Sequence, residues 1–246
     1  MNIFDLSDKT ALVTGASSGL GWRFCEVLAA AGAHVIAAAR RVDKLNELVS
    51  SIKQAGGSAE SLKLDVRNFE QVKKQISGLN QHIDICINNA GIAIDTPIFE
   101  DNQNNFESVM QTNVLGVWYV TQVVAGIMKD QKIDGSIINI SSIYGHSRLE
   151  EKQSAYCASK AAVSQLTKSL VGELSKFSIR INAIAPGAIL TPMTPKWDHN
   201  NIPVGFLAEP SDLDGALLFL ASNKASRYVT GSCITVDGGI SWGGIE

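Results

Sequence analysis

The chain has 246 residues, 45% of them hydrophobic and 18% charged, with a formal net charge of −3. That length supports one sizeable α/β core, and no break in composition divides it. The slightly acidic balance excludes the basic footprint of a nucleic-acid or anionic-membrane binder, and no apolar run reaches the roughly 20 residues that span a bilayer. Met1-Asn2-Ile3-Phe4-Asp5 has neither the basic nor the apolar region of a signal peptide, so a cytoplasmic location is expected. Cys25, Cys86, Cys157 and Cys233 are scattered without a CxxC, and His34, His82, His146 and His199 lack metal-ligand spacing. Reduced thiols and no metal are expected.

In chain order, Thr10–Thr14 is a short apolar run that ends at Gly15-Ala16-Ser17-Ser18-Gly19-Leu20-Gly21, and a helical pattern follows to Ala31, closed by Gly32. Strand, glycine-rich turn and helix are the context of a dinucleotide site. Backbone N–H groups at the helix N-terminus hold a pyrophosphate, and glycine lets the backbone approach it. The spacing is G-x-x-x-G-x-G rather than the common G-x-G-x-x-G. His34–Ala39 is a second strand running into Arg40-Arg41. An acid there would bond the ribose 2′-hydroxyl of NAD, whereas an arginine suits a 2′-phosphate. The first acid, Asp43, already belongs to the next helix, 43–54, so the electrostatics favour NADP(H) over NAD(H).

Residues 61–66 alternate as a third strand ending in Asp65, 69–79 are helical, and 83–87 form a fourth strand opening into Asn88-Asn89-Ala90-Gly91. A long helical region, 102–129, carries Asn113 among apolar residues, where an amide either bonds a neighbouring backbone or serves a site. Residues 135–140 form a fifth strand ending in Ser141-Ser142. From 153 to 177 a helix carries Ala158, Ala161, Ala162, Leu166, Leu170 and Leu174 as its apolar stripe. Tyr156 and Lys160, four apart, share a face one turn from each other. An ammonium beside a phenol favours the phenolate and lowers the phenol's pKa from about 10, which makes a general acid–base.

Residues 179–185 form a sixth strand ending in Pro186-Gly187. The segment 188–210, with four of the chain's six prolines, reads as a long loop of the kind that usually carries function. A helix over 213–221 and a strand over 233–236 complete the chain. Strands alternating with helices predict a single-domain Rossmann fold, a doubly wound parallel seven-stranded sheet with helices on both faces. In that architecture the strands' C-terminal ends share one crevice, where every unusual residue above converges.

These residues together resemble the short-chain dehydrogenase/reductase family from Lys9 to Gly239. The resemblance is carried by Thr14 through Gly21, Asp65, Asn88-Asn89-Ala90-Gly91, Asn113, Ser142, Tyr156 with Lys160, and Pro186-Gly187 with Thr191. It implies an oxidoreductase that moves a hydride between a nicotinamide and a carbonyl or secondary alcohol, of ketone, aldehyde or 3-oxoacyl type. Tyr156 would be the general acid/base, Lys160 would lower its pKa and bond the nicotinamide ribose, Ser142 would bond the substrate oxygen, and Asn113 would hold a relay water. Ser141 stands adjacent and is the alternative hydroxyl. Cofactor contacts are implied for Gly15, Ser17, Ser18, Gly19, Leu20, Gly21, Arg40, Arg41, Asp65, Val66, Asn89, Ala90, Gly91, Pro186, Gly187, Ile189 and Thr191.

Tyr144, Met193 and Trp197, with Leu149 and Phe206, face few charges in the loops expected to wall the substrate, which favours an apolar or mixed carbonyl substrate over a phosphorylated sugar. Family members form tetramers or dimers, and the apolar run 240–245 would be buried in such an assembly. The rival readings are an NAD-dependent dehydrogenase working oxidatively and a non-catalytic NADP(H)-sensing regulator, which would not need Ser142, Tyr156, Lys160 and Asn113 together.

Overall fold

The computed structural model describes residues 2–146, 151–194 and 202–243. Its strands are β1 (Thr10–Thr14), β2 (His34–Ala39), β3 (Ser58–Lys63), β4 (Ile85–Asn88), β5 (Ser136–Ile140), β6 (Arg180–Pro186) and β7 (Cys233–Val236). They form one sheet in the order β3-β2-β1-β4-β5-β6-β7, parallel at every pairing. The order reverses between β1 and β4, where Leu12 pairs with Ile36 on one side and Cys86 on the other. A ligand crevice opens at such a switch point.

Side chains alternate across each strand, and each face meets its own helices. Val13, Val35, Ile87, Ile138 and Ile184 pack with Phe24 and Leu28 of α1 (Gly19–Ala30), with Leu45 and Leu48 of α2 (Val42–Gln54), and with Leu217 and Leu220 of α8 (Asp214–Ala221). On the other face Leu12, Ile36, Cys86, Ile137 and Ile181 pack with Val72 and Ile76 of α3 (Phe69–Ser77) and with Val120, Val124 and Met128 of α5 (Gly116–Asp130). Because β1 is covered on both faces, all five of its residues are buried and it reads as an unbroken apolar run.

Three elements depart most from the sequence expectation. β3 starts three residues early, at Ser58, and leaves the sheet after Lys63. As an edge strand with one buried residue, Ala59, it lacks the burial that would fix its register by pattern. Asp65 and Val66 therefore lie beyond the strand, over the crevice. The region 102–129 is two helices, α4 (Gln103–Met110) and α5, joined by a π-helical turn at Gln111–Leu115 that holds Asn113. The region 153–177 breaks into α6 (Ser154–Ser169), α7 (Val171–Leu174) and a tight turn at Ser175–Phe177. Within 188–210, Ile189 bridges Ala208, and a turn at Pro210–Leu213 leads into α8, which is followed by α9 (Asn223–Ser226).

A buried polar chain fixes α5 and α6 to the sheet. Asn88 Nδ2 donates to Thr121 Oγ1 and to Asn139 Oδ1, and Asn139 Nδ2 donates to Thr167 Oγ1, each at 2.9 Å. Polar residues in two central strands are tolerated because these bonds satisfy them.

Candidate active site

The β1–α1 turn is shaped by close backbone approach. A Cβ on Gly21 would stand 2.4 Å from the Gly15 carbonyl oxygen, and Gly15 itself has φ +68°. Neither position accepts a side chain without displacing backbone. Asn89 braces the same turn, its Nδ2 donating to the carbonyls of Thr14 (2.9 Å) and Gly15 (3.3 Å). Ser18 caps α1 without a side-chain bond, and the first turn carries no acid. The helix start therefore keeps open N–H groups and a positive dipole end for an anion.

A crevice of about 800 Å³ runs from this turn to α6. Of the residues singled out in the sequence, Gly15, Ser17, Ser18, Gly19, Leu20, Arg40, Arg41, Asp65, Val66, Asn89, Ala90, Gly91, Ser142, Tyr144, Tyr156, Lys160, Pro186, Gly187, Ile189, Thr191 and Met193 line it. Gly21 and Asn113 do not. Gly21 packs beneath the turn and Asn113 lies behind the wall, almost fully buried. Trp197 lies outside the described residues.

At the turn end, the Arg41 guanidinium donates to Ser17 Oγ from Nε (3.1 Å) and Nη2 (2.9 Å), and to Ser18 Oγ from Nη2 (2.8 Å). Arg40 is exposed on the crevice rim. Arg67, which the sequence reading passed over, lines the crevice and clasps the Asp65 carboxylate with Nε–Oδ1 at 2.9 Å and Nη2–Oδ2 at 2.6 Å. That fork holds the Asp65 carboxyl below the usual carboxylate range.

At the other end, α6 presents Tyr156 and Lys160. Lys160 is buried, and its Nζ donates to the Ile140 carbonyl at 2.8 Å while lying 5.4 Å from the centre of the Tyr156 ring. Burial pulls the ammonium down to about 8. Burial also pushes the Tyr156 phenol up to about 12, against a hydrogen bond to Ser142 that favours the phenolate. This corrects the expectation that Lys160 lowers the phenol's pKa. The ammonium sits over the ring and is spent on a backbone carbonyl, so desolvation of the phenolate decides the sign.

The two adjacent serines separate cleanly. Ser141 Oγ donates to the Lys160 carbonyl (3.0 Å) and meets Ser164 Oγ (2.6 Å), a structural pairing of α6 with β5. Ser142 instead reaches Tyr156 and accepts from the Tyr144 N–H at 3.2 Å. Tyr144 is buried, its ring edge-on to Tyr156 with centroids 6.3 Å apart. Asn113 takes the first of its two open alternatives, a bond to neighbouring backbone. Its amide exchanges hydrogen bonds with the Ile92 backbone (2.9 Å each way) and donates to Ser159 Oγ at 3.0 Å. A Cβ on Gly91 would stand 3.4 Å from Asn113 Oδ1 and 3.6 Å from Lys160 Nζ, so this segment passes close against both.

Residues 9–202 match the family described as short chain dehydrogenase. The chain belongs to that family. It is 38% identical to a 3-oxoacyl-[acyl-carrier-protein] reductase of Thermotoga maritima, with 96% of this chain and 98% of the relative covered. It is 36% identical to an L-xylulose reductase of Caenorhabditis elegans, with 97% and 98% covered. Its fold is similar to that of a Burkholderia cenocepacia gluconate 5-dehydrogenase crystallised with NADP and tartrate, with a TM-score of 0.92, 31% identity and 97% of each chain covered. As a short-chain dehydrogenase the protein is an NAD(P)-dependent oxidoreductase of alcohols and carbonyl compounds. Among the described residues no helix is long and apolar enough to cross a membrane.

Other crevice residues that sequence reasoning missed are Leu64, Ile92, Ala93, Asp95, Thr112, Gln153, Pro192 and Thr194. Arg67 carried a usable signal, an arginine two positions past a strand-end acid. Asp95 and Gln153 carried none, because they stand 58 positions apart in the chain. The contact that joins their segments is a bond from the Thr96 N–H to the Lys152 carbonyl at 2.8 Å.

Proposed function

We propose that the protein is an NADP(H)-dependent carbonyl reductase in which Tyr156 donates the proton and Ser142 holds the substrate oxygen. The observation that carries the reading is the Tyr156–Ser142 hydrogen bond above buried Lys160, in the same crevice as the glycine turn. The residues present fit a dinucleotide. The turn accepts no side chain where a pyrophosphate would lie, the helix start offers open N–H groups, and the crevice is large enough for an extended ligand. When bound, the reduced nicotinamide supplies the hydride.

The chain's own groups then manage charge and proton. The Tyr156 phenol, pushed up by burial, is protonated at neutral pH and so can serve as the acid that reduction needs. As negative charge develops on the carbonyl oxygen, the Ser142 hydroxyl stabilises it and the Tyr156 proton passes to it. Lys160, buried beside the Tyr156 ring with its Nζ on the Ile140 carbonyl, would hold the nicotinamide ribose next to the phenol. Ser141, committed to α6, takes no part.

Preference for the 2′-phosphate rests on Arg41. Its guanidinium is already gathered onto Ser17 and Ser18 at the end of β2, with Arg40 beside it and no acid in the place that would bond a free 2′-hydroxyl. The solved gluconate 5-dehydrogenase with NADP supports the same choice. The deciding experiment is titration with NADPH and with NADH, followed by nicotinamide fluorescence. Tighter NADPH binding is expected. Tighter NADH binding would move the reading to an NAD-dependent alcohol dehydrogenase, and binding of neither would overturn the enzyme reading.

A further inference from the structure

Charge is distributed unevenly along the crevice. Among the described lining residues the arginines, Arg40, Arg41 and Arg67, all stand at the glycine-turn end. At the Tyr156 end the one cation among the described lining residues is Lys160, buried and turned onto the Ile140 carbonyl. The same crevice is lined by an acid, Asp95, which is exposed and whose carboxylate has no hydrogen bond or ion pair among the described residues, unlike Asp65 in the Arg67 fork. Gln153, at the head of α6 and three residues before Tyr156, also lines the crevice, and its side-chain amide caps nothing.

The backbone holds these two side chains in register. The segment bearing Asp95 is pinned at Ile92 by Asn113 and at Thr96 by the Lys152 carbonyl, the residue before Gln153. An unpaired carboxylate and an uncommitted amide therefore flank the mouth of the crevice on two anchored segments. Ile92, Ile143 and Met193 supply apolar surface beside them. A carboxylate accepts strongly from hydroxyls, an amide both donates and accepts, and the apolar wall covers a carbon chain.

We propose that Asp95 and Gln153 form a hydroxyl-recognition subsite that makes the substrate an uncharged polyhydroxylated carbonyl compound, such as a short ketose, and that Asp95 repels anionic carbonyl substrates. The inference rests on the carbonyl-reductase reading and names the substrate class of that site. An unhydroxylated ketone offers Asp95 and Gln153 no hydrogen-bond partner and so gains nothing from the polar subsite. A substrate carboxylate meets a like charge at Asp95, and among the described residues no arginine lines that end to offset it.

The test uses three five-carbon ketones that differ in these respects alone, with NADPH consumption as readout: xylulose, pentan-2-one and 4-oxopentanoate. The expected order of kcat/KM puts xylulose at least about tenfold above both others, a charge-assisted hydrogen bond being worth about that ratio. In Asp95→Asn, xylulose falls about tenfold while 4-oxopentanoate rises by a similar factor, chiefly through KM. Opposite movement of the two substrates is an outcome that a merely damaged site does not produce. Pentan-2-one or 4-oxopentanoate as the best substrate, or ratios that Asp95→Asn leaves unchanged, would overturn the inference. Butane-2,3-dione, which has no hydroxyl or charge to recognise, separates the layers. Its reduction without any xylulose turnover would sink the subsite and leave the reductase reading standing, whereas no NADPH consumption on any of the four would sink both.

Discussion

Lys160→Met replaces a buried ammonium with an uncharged side chain of similar length, and the structure predicts that it stabilises the ligand-free protein while abolishing turnover. Burial lowers the lysine from 10.5 to about 8, which at about 1.4 kcal/mol per pH unit costs the folded state about 3 kcal/mol at pH 7. Between pH 8 and 10.5 the unfolded chain binds the proton more tightly than the folded one, so stability rises with pH across that window. Below pH 8 the cost is present in full, and at pH 10 it has shrunk to about 1 kcal/mol. The substitution also removes the bond to the Ile140 carbonyl, worth about 1–2 kcal/mol. The net gain at pH 7 is therefore about 1–2 kcal/mol, or a melting temperature higher by about 2–8 °C for a chain of this size. Urea unfolding of both proteins at pH 7 and pH 10 measures it. The variant's advantage should shrink by about 2 kcal/mol between the two, reversing in sign as the lost hydrogen bond comes to dominate. A difference that does not change with pH would refute the placement of a charged lysine in a desolvated site.

Tyr156→Phe removes the hydroxyl that meets Ser142 in the crevice and would pass a proton to a substrate oxygen there. We expect kcat to fall about 100- to 10,000-fold with the NADPH Kd within about twofold, and near-normal steady-state turnover would show that another group is the acid. Arg41→Ala should weaken NADPH about 10- to 100-fold through lost charged hydrogen bonds and leave NADH almost unchanged. Equal loss for both in the fluorescence titration would mean that Arg41 supports the turn rather than the 2′-phosphate. Gly21→Ala places a Cβ 2.4 Å from a backbone oxygen and should cost about 1–3 kcal/mol of stability. It should also distort Gly15 enough to lose dinucleotide binding, and unchanged urea midpoint and binding would contradict the close packing described for the turn.

Most of the fold was legible because a doubly wound sheet writes itself into the chain twice, as buried apolar strands and as the glycine and proline that end them. β1 and β7 fall where those signals put them. β3 does not, because an edge strand with Ala59 as its one buried residue has no apolar alternation to count, and its register comes instead from pairing with β2, His34 opposite Ser58. The π-helical turn at Asn113 was invisible for another reason. A single extra residue per turn leaves the apolar periodicity of α4 and α5 nearly intact on either side, and what holds Asn113 is the Ile92 backbone, 21 positions away.

At the site, helical spacing correctly put Tyr156 and Lys160 on one face, but proximity alone does not set the sign of a pKa shift. Two opposed effects were to be weighed. A nearby cation lowers a phenol's pKa by Coulomb attraction, and burial raises it by stripping solvent from the phenolate, which is the larger effect at Tyr156. The first was readable from a four-residue interval. The second depends on β5 and the Ile143–Gly145 turn closing over α6, which no local pattern encodes. The same closure aims the ammonium at Ile140 rather than at the phenolic oxygen. Ser141 and Ser142 make the point at a finer scale. They are identical in type and adjacent in sequence, yet the chain leaving β5 sends one hydroxyl into α6 and the other, at the start of the Ile143–Gly145 turn, to Tyr156. The difference between a structural and a reactive hydroxyl here is one step past the end of a strand, visible in a sequence only once that end is fixed.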